Sequence, residues 1–227
     1  MGVFCFFRRK YLEILFEIFF EKLTILCKDI LKIMEKGKWV SQVQELFELL
    51  NSLSVRDKDG KELEPEKGFQ EWLVKTFEVR NSQKVVYLIG NGASASMASH
   101  FSADLAKNAH IHTQVFSDLS LITAISNDLG YEHVFEEPLR RRGMAGDMLV
   151  AISSSGNSKN ILGAVKLADS LGMESVTLSG MSFDNPLRKL GKLNFHVSGK
   201  TYGAVETCHS AILHHWMDLV AESSGGK

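Results

Sequence analysis

The sequence predicts a three-layer α/β sandwich around a parallel sheet of about five strands, on three observations. Short apolar runs rich in β-branched residues, such as Val85–Ile89 and Asp147–Ile152, alternate with stretches of helical periodicity. Runs that are apolar at successive positions mark strands buried on both faces, as in a sheet covered by helices on each side. The segments between the runs are long enough for a helix each, which implies βαβ units and parallel pairing. Finally, two clusters of small residues, Gly90–Ser94 and Ser153–Ser158, stand where a strand gives way to a helix.

The 227 residues suffice for one such domain with additions at the N-terminus. A formal net charge of −1 advertises no nucleic-acid surface. Cys5, Cys27 and Cys208 are widely spaced and odd in number, which suits free thiols in a reducing compartment, hence the cytoplasm. Residues 1–34 are a leader crowded with Phe, Ile and Leu but broken by recurrent charges. No run in it is long enough to span a membrane, and no cleavage signal follows it. The leader reads as an amphipathic helix, or as an over-long reading frame whose true start is Met34, with the folded domain in 35–227.

Taken in order, Val40, Val43, Leu46, Phe47 and Leu50 recur at helical spacing, so Lys38–Leu53 is an amphipathic helix. Asn51–Lys67 is polar, carries the turn signal Asp-Lys-Asp-Gly and reads as a loop. Gly68–Arg80 is a second helix, and Val85–Ile89 the first strand, followed by a helix from about Ser94. Thr113–Phe116 is a short strand, with Ser117 and Asp118 placed to cap a helix that starts near Leu119 and ends at Asp128. Tyr131–Arg142 is expected as one helix closed by Gly143, and Lys159–Leu171 as another that stops at Gly172. Strands follow at Ser175–Leu178 and Leu193–Val197, and Tyr202–Glu222 closes the chain as a long helix.

The two small-residue clusters point to the chemistry. A glycine turn between strand and helix lets an anion approach backbone N–H groups, and the helix start favours negative charge there. Gly90-x-Gly92-x-x-Ala95 also fits a dinucleotide fingerprint, with Asp118 as the acidic residue such a site needs. The second cluster decides between them: Ser153–Ser158 offers four hydroxyls and a glycine at another helix start, which suits a phosphate monoester. A small phosphorylated sugar is the expected ligand, with no nucleotide cofactor. His100 and Asp104 share one helical face, and the last helix carries Glu206, His209, His214 and His215. Two helices bearing carboxylate and imidazole suit either an acid–base pair or a divalent-metal site, and so many imidazoles on an apolar helix point away from packing alone.

Gly90–Ser94, His100-Phe101, Ser126-Asn127-Asp128, Gly146-Asp147, Ile152–Ser158 and the His-bearing final helix together resemble the sugar isomerase (SIS) domain family, with its flavodoxin-like, Rossmann-like fold. Within it the likeness is greatest to phosphoheptose isomerases, which interconvert sedoheptulose 7-phosphate and glycero-manno-heptose 7-phosphate, and it covers residues 36–222. The resemblance implies that Ser153, Ser154, Ser155 and Ser158 hold the phosphate, while Asn91, Gly92, Ala93, Ser94, Asn127 and Asp128 contact the sugar, with Asp104 and Glu206 beside it. It implies Asp104 and His214 as the catalytic base and acid, His100, Asp104, Glu206 and His214 as ligands of a zinc ion, and a homotetramer. Asp104 replaces the family's glutamate, Glu206 its glutamine, Asn108 an arginine and Gly203 an aspartate. The first two exchanges conserve acid–base and ligand chemistry. A second reading within the family is a non-catalytic regulator or assembly protein like the relatives that bind the replication initiator, which lose the helix carboxylate.

Overall fold

The structure, a computed structural model, describes residue 16, residues 18–28, residue 30 and residues 39–223. The chain divides into two compact units, Met1–Glu45 and Leu46–Lys227. In the first, residues 18–28 are helical and exposed, while the remainder of the predicted leader, apart from residues 16 and 30, lies outside the described residues. Among the described residues no helix is long and apolar enough to cross a membrane. Helix α1 (Trp39–Asn51) begins in the first unit and ends in the second, and none of its residues is buried.

The second unit holds a seven-stranded sheet. After α1 come β1 (Ser54–Asp57), β2 (Glu62–Leu63), α2 (Pro65–Asn81), β3 (Val85–Gly90), α3 (Ala93–Ala109), β4 (His112–Val115) and α4 (Leu119–Asp128). Then follow a 3-10 turn (Tyr131–His133), α5 (Glu136–Arg142), β5 (Met148–Ser153), α6 (Lys159–Ser170), β6 (Glu174–Gly180), a second 3-10 turn (Pro186–Lys189), β7 (Leu193–Val197) and α7 (Tyr202–Ser223). The order across the sheet is β2-β1-β7-β6-β5-β3-β4. Strands β4, β3, β5, β6 and β7 pair in parallel, which is the expected sheet. Side chains alternate between two cores: Val86, Leu88, Val150 and Ile152 face α2, α3 and α7, whereas Tyr87, Ile89, Leu149 and Ala151 face α5 and α6. The three layers follow from that alternation.

Two expectations need correction. Residues 51–67 are not a plain loop, because β1 and β2 form an antiparallel hairpin that extends the sheet beyond β7. Strands of four and two residues, mostly polar, have too little apolar pattern to be read as strands. The hairpin is held by polar groups instead. Asp57 Oδ1 accepts from the N–H groups of Asp59 and Lys61 across the turn, at 3.0 and 2.9 Å. The buried Arg188 guanidinium reaches Ser54 and, at 3.2 Å, Glu62. Burial pushes that guanidinium down to about 10, so it stays charged at neutral pH. The second correction concerns 131–142, where the expected single helix breaks at Val134–Phe135 into a 3-10 turn and α5. Val134 and Phe135 at the break are both buried in the core beside α6.

Candidate active site

β3 lies between β4 and β5, so the chain leaves it in one direction and the next parallel strand lies on its other side. That arrangement is a topological switch point, where the loops at the carboxyl ends of neighbouring strands diverge and leave a crevice. The two loops there are the Asn91 turn after β3 and the serine loop after β5. They open on one cavity of about 190 Å³, lined by Asn91, Ser94, Ser153, Ser154, Ser155 and Ser158, with Tyr202 and Glu206 of α7 completing its wall.

Both loops are tight because small residues permit it. A Cβ on Gly90 would lie 2.5 Å from the Ser94 backbone, and one on Gly156 only 2.0 Å from Asn185 Oδ1. Gly156 also has φ of +63°, the left-handed region that glycine enters without strain. Within the serine loop the Gly156 N–H donates to the Ser153 carbonyl at 3.0 Å, and the Asn157 N–H to Ser155 Oγ at 3.2 Å. Ser154 Oγ is buried and has no hydrogen-bond partner. The start of α3 has no side-chain cap, and its N–H groups are taken up within the turn, Ser94 and Ala95 donating to the Asn91 and Gly92 carbonyls at 3.0 Å. The buried Ser154 hydroxyl beside the start of α6 is left without a partner, and a donor of this kind suits an anion.

A second group of residues lies where α3 and α7 pack together. His100 Nε2 is 3.4 Å from Asp104 Oδ2, and Lys107 Nζ is 3.7 Å from Asp104 Oδ1. The His214 ring is 5.7 Å from that of His100 and stands edge-on to Phe101 at 4.7 Å. The structure therefore gathers His100, Asp104 and His214. Glu206 stays with the serine cavity, two turns or roughly 12 Å away along α7. Among the described residues no three His, Cys, Asp or Glu side chains converge closely enough to hold a metal ion. The four predicted zinc ligands do not form one coordination set in this arrangement.

Other predicted residues are placed differently. Asn127 and Asp128 are exposed at the end of α4, where Asn127 Nδ2 donates to Asp128 Oδ1 at 2.9 Å, and neither lines the serine cavity. Gly92 lines a neighbouring apolar cavity beneath α3, and Ala93 is exposed at the helix start. His209 corrects the view that packing does not explain the imidazoles of α7. It is fully buried, its Nε2 lies 3.0 Å from the Ser179 carbonyl, and burial pushes its pKa down to about 4. His209 is a neutral core residue. His215 stands edge-on to Phe69 at 4.6 Å.

Sequence reasoning missed Tyr131, Asn160 and Tyr202. Asn160 is buried and exchanges two hydrogen bonds with Asn91, each of 3.0 Å, while the Tyr131 hydroxyl donates to Asn91 Oδ1 at 2.9 Å. Asn160 is the second residue of α6, and nothing in its local sequence signals the contact with Asn91.

Residues 71–180 match the family model described as the SIS domain. The chain is 33% identical to the phosphoheptose isomerase of Helicobacter pylori strain Shi470, over 68% of this chain and 82% of the relative. It is also 33% identical to the phosphoheptose isomerase of Aneurinibacillus thermoaerophilus, over 66% and 78% of the two chains. Among solved structures, the phosphoheptose isomerase of Neisseria gonorrhoeae superposes with a TM-score of 0.71 at 25% identity, covering 84% of this chain and 99% of the other.

Proposed function

Because the chain belongs to the phosphoheptose isomerase family of SIS domains, we propose that it interconverts sedoheptulose 7-phosphate and glycero-manno-heptose 7-phosphate. One observation carries the reading: the serine loop and the Asn91 turn open on a single cavity at the switch point, with α7 forming its wall and carrying His214 further along. The phosphate belongs at Ser153–Ser158, where the unpartnered Ser154 hydroxyl and the start of α6 meet it. The sugar chain then runs toward Asp104 and His214. An extended seven-carbon phosphate spans on the order of 10 Å, at about 1.5 Å per carbon–carbon bond. That is comparable to the roughly 12 Å along α7 from Glu206 to His214.

In the ketose-to-aldose direction, the Asp104 carboxylate takes a proton from C1, and the electron pair forms the C1–C2 double bond. The C2 carbonyl oxygen takes a proton from His214, giving an enediol. Collapse in the other sense returns the carbon-bound proton to C2 while the C1 hydroxyl gives up its own, so the sugar is isomerised with no net gain or loss of atoms. His100, 3.4 Å from Asp104, orients that carboxylate. The same reading places the enzyme in the cytoplasm as four copies. The apolar stripe that α1 leaves exposed at Val40, Val43, Phe47 and Leu50 supports assembly, and light scattering tests it.

The direct test is to incubate the protein with sedoheptulose 7-phosphate in deuterated water and follow the products by NMR. Conversion to the aldose phosphate is the expected result, with C2 carrying protium where Asp104 delivers the proton directly and deuterium where its carboxyl exchanges with solvent first. No product from any ketose or aldose phosphate would turn the reading toward the non-catalytic regulator.

A further inference from the structure

The Asn91 side chain has little left to offer a sugar. A primary amide can accept two hydrogen bonds and donate two. Asn91 Oδ1 accepts from Asn160 Nδ2 at 3.0 Å and from the Tyr131 hydroxyl at 2.9 Å, while its Nδ2 donates to Asn160 Oδ1 at 3.0 Å. One N–H remains. Asn160 is as fully engaged, since its Oδ1 also accepts from the Ile161 N–H at 2.9 Å, and it is only 3% exposed. The reciprocal pair joins residues 69 apart in sequence. One belongs to the turn after β3, and the other is the second residue of α6, two positions beyond the serine loop. The strands beneath are neighbours, yet the loops diverge at the switch point, and among the described residues no backbone hydrogen bond joins residues 91–94 to residues 153–158. Asn91 also forms part of the wall of two further cavities, which Tyr131 lines as well.

We propose that Asn160 is a positioning residue for the isomerisation, clasping the Asn91 turn to the phosphate loop, with Tyr131 closing the clasp from the exposed side. The inference rests on the isomerase reading for its kinetic consequence, though not for the clasp itself. A phosphate held by one loop and a sugar chain guided by the other react only if the two keep a fixed relation. A misplacement of about 1 Å can cost on the order of a hundredfold in rate. Phosphate capture by the serine hydroxyls needs no such relation.

The test compares Asn160→Ala and Tyr131→Phe with the unmodified protein, reading kcat and KM for sedoheptulose 7-phosphate, the Kd for inorganic phosphate, and amide hydrogen exchange. Asn160→Ala is expected to lower kcat about 10- to 100-fold, with KM and phosphate Kd changed by far less. Tyr131→Phe, which removes one of three bonds, should lower kcat only a few-fold. In Asn160→Ala, amides of residues 91–95 and 155–161 should exchange faster together while those of β3 and β5 stay protected. The double variant Asn91→Ala/Asn160→Ala should be no slower than Asn91→Ala alone. A folded Asn160→Ala with unchanged kcat overturns the proposal, as does faster exchange confined to one loop. If the unmodified protein turns over no heptose phosphate, the isomerase reading fails, and the exchange data still decide whether the clasp exists.

Discussion

The two edges of the parallel sheet differ in a way that volume alone conceals. The larger cavity, about 710 Å³, lies at the amino edge, between α2, the β1–β2 turn and the first residues of β5, β6 and β7. The carboxyl edge holds the smaller one, about 190 Å³. At the amino edge the charges are matched: Lys75 meets Glu78 at 2.8 Å and Lys192 meets Glu174 at 3.1 Å. The hydrogen bond to Glu78 is the chief reason that the Lys75 ammonium is held above its usual range. At the carboxyl edge the buried Ser154 hydroxyl has no partner. Buried polar groups in folded proteins are nearly always paired, so an unpaired hydroxyl in a cavity wall marks a place that a ligand can fill. Polar satisfaction separates the two cavities where size would choose wrongly.

The comparison breaks most easily at the serine loop. Ser155→Asp places a carboxylate in the proposed phosphate site, and like charges repel strongly in a partly enclosed site. Binding of sedoheptulose 7-phosphate and of inorganic phosphate should be abolished, as read by calorimetry, with thermal stability retained. Undiminished phosphate affinity would move the anion site elsewhere on the molecule.

The next largest effect belongs to the acid–base group between α3 and α7. Asp104→Asn keeps the shape and removes the proposed base, and His214→Gln removes the proposed acid. Positioned groups of this kind contribute on the order of 10²- to 10⁴-fold each, so kcat should fall at least about a hundredfold in either variant. Phosphate affinity should survive, since Ser153–Ser158 belong to another loop. Normal turnover by Asp104→Asn would sink the mechanism.

Two buried histidines, His209 of α7 and His196 of β7, extend the contrast to pH. His209 and His196 are both held neutral by burial, each with its pKa pushed down to about 4 from 6.5. Between those values the unfolded chain binds protons that the fold refuses, so stability is complete above about pH 6.5 and is lost as pH falls toward 4. Urea midpoints should therefore fall between pH 7 and pH 4.5. In His209→Gln the fall should be shallower, although the variant starts less stable at pH 7 because the bond to the Ser179 carbonyl is weakened. Equal slopes in the two proteins would show that His209 does not contribute.

The same contrast explains what the sequence could reveal. The five parallel strands and the small-residue turns that follow β3 and β5 were legible because each rests on local signals: apolar runs, glycine and serine clusters, and the Asp118 cap, whose carboxylate does accept from the Leu121 N–H at 2.9 Å. The β1–β2 hairpin was not, because its stability comes from Arg188, more than a hundred residues away. His209 and His214 are both histidines on one helix, and only tertiary packing makes one a core residue and leaves the other exposed. Asn160 was hidden for the same reason. Its partner is 69 residues distant, and nothing local distinguishes it from an ordinary residue in the first turn of a helix.

The smallest expected effect is the sharpest check on the opening contrast. Lys75→Ala and Lys192→Ala each remove a cation from the amino-edge cavity and leave a carboxylate without its partner, Glu78 in one case and Glu174 in the other. Both pairs are at least partly exposed, and ion pairs in such settings contribute about 0–1 kcal/mol. The expected outcome is a shift in thermal midpoint of a few degrees at most, with kcat and KM within about twofold of the unmodified protein and insensitive to which lysine is removed. If the amino edge were a second anion site, these substitutions would do more. Phosphate binding would weaken while the serine loop remained intact, and combining either change with Ser155→Asp would remove a residual affinity that Ser155→Asp alone had left. A single binding event lost wholly at the carboxyl edge, and untouched by either lysine, is what matched charges on one side and an unmatched hydroxyl on the other require.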